Sequence, residues 1–239
     1  MGFVTMKSKH AQRMAVLQTG RSVPGSEKRH GDYDDMCKAL MGRAPSEAET
    51  FAILDGDFPK TLDDYDVFVV TGSKFGVYED HDWIAPLEDL IRQIYESGKK
   101  MIGVCFGHQI IAQALGGQVE KSDKGFGAGA MSYTLQLPGG QAQDISLYAW
   151  HQDQVVKAPE QAQTIASSEF CPIAGLRYDD RVLTFQAHPE FTKAYTEELA
   201  EARRGVVLTD EQADKALASL EQRINADVIQ DMIFEFISD

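Results

Sequence analysis

Short unbroken apolar runs alternate, along the first half of the chain, with stretches in which apolar residues recur every three or four positions. Met14-Ala-Val-Leu-Gln-Thr19 is one run, closed by Gly20, and Val67-Phe-Val-Val-Thr71 is another, closed by Gly72. Runs of this length bounded by glycine predict buried strands. Met101-Ile-Gly-Val-Cys105 predicts a third, which passes at Phe106-Gly107 into the helical pattern Ile110, Ile111, Ala114, Leu115, stopped by Gly116-Gly117. Between the second and third runs, Trp83, Ile84, Leu87, Leu90, Ile91 and Ile94 share one helix face, with Gly98 as terminator. Strand, helix and strand form a crossover unit. The alternation predicts an α/β fold with a mainly parallel central sheet flanked by helices, and active residues where carboxyl ends of strands meet loops. Gly20, Gly72 and Cys105 lie at such ends.

From Gly127 to Gln186 the pattern changes. Ser132-Tyr-Thr-Leu-Gln-Leu137, Gln163-Thr-Ile-Ala-Ser167, Ile173-Ala-Gly-Leu-Arg-Tyr178 and Val182-Leu-Thr-Phe-Gln186 are strand-like with little helix between them, which predicts added antiparallel strands. Helix returns at the C-terminus, where Val228, Ile229, Met232, Ile233, Phe236 and Ile237 form a stripe expected to pack on the domain. No repeat, low-complexity tract or linker divides the chain. Residues 1–239 are therefore read as a single domain, with 192–239 a C-terminal helical extension.

Composition narrows the partners. Apolar residues at 43% and charged residues at 25% suit a packed core. A net charge of −14 repels phosphate backbones and anionic lipid, so neither nucleic acid nor a membrane is expected. Half of that charge comes from Glu197 to Asp239, with eleven acidic against four basic side chains, a pattern of solvated helix faces. Cys37, Cys105 and Cys171 are an odd number without a C-x-x-C pair, which argues against a disulfide framework and a structural zinc site. The stretch Met1 to Gln12 is polar, with no apolar run of secretory type, and Met6 stands where a myristoylation signal would have Ser or Thr after Gly2. A cytoplasmic protein is expected.

Chemistry concentrates at Cys105. Gly103-Val-Cys105-Phe-Gly107 has the nucleophile-elbow pattern, with Cys in place of Ser, between a predicted strand and a predicted helix. Glycines on either side permit a sharp turn, and the helix N-terminus favours thiolate and a developing oxyanion. Cys37, in a predicted helix, and Cys171, beside Pro172, lack these surroundings and are read as structural. The thiolate needs a base, and His108, His151 and His188 are the candidates, since His10, His30 and His81 sit in polar segments without a strand end. His188 follows a predicted strand, and in an extended His188-Pro189-Glu190 the first and third side chains share a side, so that Glu190 can orient the imidazole. His108, in the first turn of the helix, is expected to pack or hydrogen-bond the elbow. His151, in Tyr148-Ala-Trp-His-Gln-Asp-Gln-Val, is read as a loop residue able to line a polar site.

Gly103-Val-Cys-Phe-Gly-His-Gln-Ile-Ile-Ala-Gln-Ala-Leu-Gly-Gly117 together with Phe185-Gln-Ala-His-Pro-Glu190 resembles the class I glutamine amidotransferases, in particular stand-alone relatives of the GMP synthetase amidotransferase domain and γ-glutamyl peptidases. The resemblance implies a flavodoxin-like sheet and a triad of Cys105, His188 and Glu190. It also implies an oxyanion hole from the backbone N–H groups of Phe106 and Gly72, and glutamine contacts from Gln109, Ser73, His151, Gln152 and Asp153. The implied reaction is attack of Cys105 on the γ-carbonyl of glutamine or a γ-glutamyl small molecule. It gives a thioester, releases ammonia or an amine, and needs neither metal nor organic cofactor. Water then releases glutamate, and two forms stand open: a glutaminase feeding ammonia to a separate synthetase subunit, or an independent γ-glutamyl peptidase; a homo-oligomer is compatible with either. The competing reading is a non-catalytic binding or regulatory module that has kept the fold. A cysteine-type α/β-hydrolase is disfavoured, because there the acidic member precedes the histidine.

Overall fold

A strand buried on both faces can satisfy its backbone only against neighbouring strands, and the apolar runs of this chain do so in one large sheet. The computed structural model describes residues 12–137 and 139–238. Its strands are β1 (Met14–Gln18), β2 (Ala48–Ala52), β3 (Val67–Val70), β4 (Lys100–Val104), β5 (Gln118–Lys121) and β6 (Gly127–Gln136). They continue with β7 (Ala142–His151), β8 (Asp153–Lys157), β9 (Gln163–Ser167), β10 (Gly175–Tyr178) and β11 (Val182–Phe185). The helices are α1 (Glu27–His30), α2 (Tyr33–Leu40), α3 (Ile84–Glu96), α4 (Phe106–Ala114), α5 (Lys193–Arg203), α6 (Asp210–Ser219) and α7 (Ala226–Ser238).

Nine strands form the main sheet in the order β2-β1-β3-β4-β11-β10-β9-β6-β7, and β5 pairs with β8 apart from it. From β2 to β11 every pairing is parallel. From β11 to β7 every pairing is antiparallel. β11 is the seam, parallel to β4 on one side and antiparallel to β10 on the other. The antiparallel half also returns towards the seam, since the His188 N–H beyond β11 donates to the Tyr148 carbonyl of β7 at 2.8 Å.

Two apolar layers cover the sheet. α3 and α4 pack on one face around Phe68, Ile91, Phe106 and Ile111. On the other, Ile229, Ile233, Phe236 and Ile237 of α7 bury the stripe expected of the C-terminal helix against Val69, Ile102 and Leu183. The fold expected from the hydrophobic pattern, a parallel sheet with helices on both faces and antiparallel additions, is the fold observed. Four strands, β2, β5, β7 and β8, were not expected. The loop reading around His151 is corrected: Trp150 and His151 end β7, Asp153 opens β8, and Gln152 alone links them. In β7 the positions Ile145, Leu147, Ala149 and His151 do alternate inward, but a histidine at the last inward position disguises the period. The polar stretch from Met1 to Gln12, His10 included, lies outside the described residues except for Gln12. No helix among the described residues is long and apolar enough to cross a membrane.

The approach of α4 to the sheet is close enough to exclude side chains. A Cβ on Gly107 would stand 2.2 Å from the Val70 carbonyl oxygen, and one on Gly103 2.8 Å from the Gly107 carbonyl carbon. Neither φ is left-handed, so contact distance alone requires glycine at both positions. Gly107→Ala is expected to lower stability by about 1–3 kcal/mol through this overpacking, read as an earlier midpoint in urea unfolding.

Candidate active site

Cys105 stands between β4 and α4 at the N-cap of the helix, with φ 52° and ψ −104°. A side chain in that region costs about 1–3 kcal/mol and persists only where its surroundings hold it. They do so here through the strand before and the helix after. The Cys105 N–H donates to the Phe185 carbonyl at 2.8 Å, and its carbonyl accepts from the Gln109 N–H at 3.1 Å. The residue is 5% exposed, and its thiol donates to the Trp150 carbonyl at 3.8 Å.

β11 lies directly beside β4, with Phe185 opposite Val104, so the segment leaving β11 delivers His188 next to the elbow. Its Nδ1 lies 2.7 Å from Glu190 Oε1, and both side chains are almost wholly buried. Burial opposes a charged imidazole, but the Glu190 carboxylate and the nearby Cys105 sulfur as thiolate outweigh it and raise the His188 pKa to about 10. Nε2 of His188 has no hydrogen-bond partner among the described residues. Gly72, at the carboxyl end of β3, closes the third side. A Cβ there would stand 3.2 Å from His188 Cε1 and 3.8 Å from Cys105 Cβ. The turn is fixed from β1: Thr19 N–H donates to Thr71 Oγ1 at 3.0 Å and Thr19 Oγ1 to the Thr71 carbonyl at 2.9 Å. Phe106, first residue of α4, has an N–H with no carbonyl one helical turn back to bond.

The remaining sequence candidates divide. Gln109 is buried, and its carboxamide N–H groups donate to the Asp153 carbonyl at 2.7 Å and to Gln186 Oε1 at 3.1 Å. His151 is buried beside it, its Nδ1 3.2 Å from the same Asp153 carbonyl and its Nε2 unpartnered among the described residues. Burial first, then the charge on His188, pushes the His151 pKa down to about 3. The Asp153 carboxylate accepts from Tyr78 Oη at 3.0 Å, and partial burial holds its pKa above the usual carboxylate value. Ser73 and Gln152 are not drawn into this cluster by their side chains: Ser73 Oγ accepts from the Phe75 N–H at 3.3 Å, and the Gln152 carboxamide donates to the Ser122 carbonyl at 3.1 Å. Cys37 and Cys171 are buried and free, and burial raises both thiols, Cys171 to about 12. Three participants were not found from sequence. They are Gln186, which receives Gln109, the Trp150 carbonyl on the thiol, and Phe191, whose ring stacks on His188. Adjacency to Glu190 was the only signal for Phe191. Among the described residues, no group of three or more His, Cys, Asp or Glu side chains is placed to share a metal ion.

A cysteine on a strained strand-to-helix turn, beside a histidine held by a carboxylate, is an arrangement of thiol-dependent acyl-transfer enzymes. Residues 50–201 match the family described as Glutamine amidotransferase class-I, and the chain belongs to that family. Gamma-glutamyl peptidase 5 of Arabidopsis thaliana is 32% identical over 207 residues, 82% of each chain. A glutamine-hydrolyzing GMP synthase of Leifsonia xyli is 35% identical over 131 residues, 51% of this chain and 25% of that one. A glutamine amidotransferase structure from Thermotoga maritima superposes with a TM-score of 0.76 at 17% identity, covering 96% of this chain and 100% of that one, so the fold is shared.

His108, by contrast, is fully buried and bonded at both nitrogens, to Thr184 Oγ1 at 2.8 Å and to the Ile173 carbonyl at 3.1 Å. It ties α4 to β11 and to the loop before β10. Burial lowers its pKa to about 4, so between about pH 6.5 and 4 the unfolded chain binds a proton that the folded protein refuses. Stability is therefore present above that window and lost as pH falls through it, by on the order of 3 kcal/mol from this residue. The expected result is a smaller loss of urea midpoint between pH 7 and 4.5 in His108→Gln than in the unsubstituted protein.

Proposed function

We propose that this protein hydrolyses the γ-amide bond of γ-glutamyl compounds, glutamine among them, through a γ-glutamyl thioester on Cys105. The observation that carries the reading is the strained Cys105 backbone at φ 52° beside a His188 whose Nδ1 is held by Glu190 at 2.7 Å. A histidine whose Nδ1 is held by a carboxylate at 2.7 Å, and whose pKa Glu190 and Cys105 together raise, is suited to hold the proton that a thiol must give up to act as a thiolate nucleophile.

In the first half of the reaction the Cys105 sulfur attacks the γ-carbonyl carbon, and the carbonyl oxygen becomes an oxyanion. The N–H groups of Phe106 and Gly72 are the donors for it. Protonated His188 gives its proton to the leaving nitrogen as the C–N bond breaks, so ammonia or an amine departs and the thioester remains. Neutral His188 then takes a proton from water, hydroxide adds to the thioester carbon, and glutamate leaves as the thiolate is expelled and His188 is again protonated. Glu190 stays ionised throughout and holds the imidazole orientation. The Gln109 carboxamide oxygen, the free His151 nitrogen and the Asp153 carboxylate are acceptors suited to the α-amino group of the γ-glutamyl moiety, with the backbone near Ser73 and Gln152 framing the opening.

Independent cleavage of γ-glutamyl peptides is favoured over ammonia supply to a synthetase, because the relative named gamma-glutamyl peptidase aligns over 82% of both chains, against 25% of the GMP synthase. Glutamate release from glutamine and from a panel of γ-glutamyl dipeptides is expected without any partner, and to be abolished in Cys105→Ala. Turnover of glutamine alone, appearing only when a synthetase is added, would transfer the reading to ammonia supply. Glu190→Gln is expected to lower kcat by roughly ten-thousandfold, with KM little changed, because the orienting carboxylate acts on the transition state.

A further inference from the structure

His188 is held across its ring plane as well as at its ring nitrogen. Phe191 lies face to face with the imidazole, centroids 4.0 Å apart and planes 13° from parallel. The stack is produced by a turn in which the Phe191 N–H donates to the His188 carbonyl at 3.3 Å, returning the chain over its own histidine. Behind Phe191, Tyr195 of α5 meets the ring edge-on at 4.7 Å and 71°, and Tyr33 of α2 lies against it at 5.9 Å. Phe191 is 4% exposed and Tyr195 1%, so the aromatic wall is shielded from water.

We propose that Phe191 is a positioning residue for His188, its π face holding the imidazole in the plane that serves Cys105 and favouring the protonated ring. The proposal rests on the hydrolase reading above. One hydrogen bond at Nδ1 leaves the ring free to tilt about the direction of that bond, and a parallel aromatic surface at van der Waals distance removes that freedom. The face of a benzene ring also carries negative potential, so a cation stacked on it within about 6 Å is attracted, more strongly where water is excluded. The titratable groups facing His188 are Glu190 on its own segment, Cys105 at the start of α4 and His151 at the end of β7; Tyr33 and Tyr195 stand behind the phenyl ring. A Phe191 substitution removes none of them, so a changed titration of His188 reports the stack.

The test compares the unsubstituted protein with Phe191→Leu and Phe191→Tyr, following the His188 Cε1–H resonance by NMR across pH and kcat and KM on glutamine and a γ-glutamyl dipeptide. The expected result is an upfield ring-current position for His188 in the unsubstituted protein, lost in Phe191→Leu together with a titration lower by about one pH unit. Phe191→Leu is further expected to lower kcat with KM held, and its alkaline limb to move down in step, while Phe191→Tyr restores both. A Phe191→Leu protein that folds and leaves the resonance, the titration and the alkaline limb unchanged overturns the proposal. If Phe191→Leu does not fold, an ordinary chemical shift for His188 in the unsubstituted protein overturns it instead. Activity surviving in Cys105→Ala would overturn the hydrolase reading, and the NMR titration would still decide the stack.

Discussion

The parallel pairing of β4 with β11 is the constraint from which the site follows. With Val104 opposite Phe185, two strands distant in sequence end at the same level, one delivering a cysteine and the other, three residues on, a histidine. A bond from the Cys105 N–H to the Phe185 carbonyl extends the ladder one step past the strand and holds the cysteine while its backbone turns left-handed. The turn in turn requires α4 to start at once and to lie against β3, which only glycine at 107 permits. Pairing, strain and close packing are thus successive consequences of one register.

Three histidines around this junction share a buried setting and are driven in opposite directions. Burial alone lowers His108, and burial with a neighbouring positive charge lowers His151. At His188 the same desolvation is present, yet a carboxylate at 2.7 Å and a nearby thiolate outweigh it. Burial therefore does not by itself select a neutral or a charged imidazole. Two well-placed acidic partners reverse the outcome, and the distinction between a histidine that cements α4 to β11 and one suited to moving protons rests on Glu190 and Cys105 together.

Much of this was legible in the chain because the signals were local. Gly72, Cys105 and the Val182–Phe185 strand announce themselves through apolar runs closed by glycine or followed by His-Pro-Glu, and a residue two positions beyond a histidine in extended chain has few places to go. What was not legible depended on contacts between distant segments. β7 escaped notice because its inward positions end on His151, a residue type that does not read as core, and its role became visible only once the sheet carried Trp150 to the thiol. Gln186 and Phe191 needed tertiary contacts to acquire meaning, since neither a buried glutamine nor a phenylalanine carries a periodic signature. Ser73 and Gln152, inferred from resemblance, have side chains bonded elsewhere, Ser73 to the Phe75 N–H and Gln152 to the Ser122 carbonyl.

β7 is the terminal strand of the sheet, and a terminal strand, bonded on one side only, is ordinarily where a sheet begins to fray. Here its Tyr148 carbonyl holds the backbone of His188 and its Trp150 carbonyl receives the thiol. Fraying of the β6–β7 hairpin would therefore loosen the junction between Cys105 and His188 before the parallel half had opened at all. The opening that would expose the β7 amide hydrogens to solvent exchange is thus the same opening that would release both Cys105 and His188.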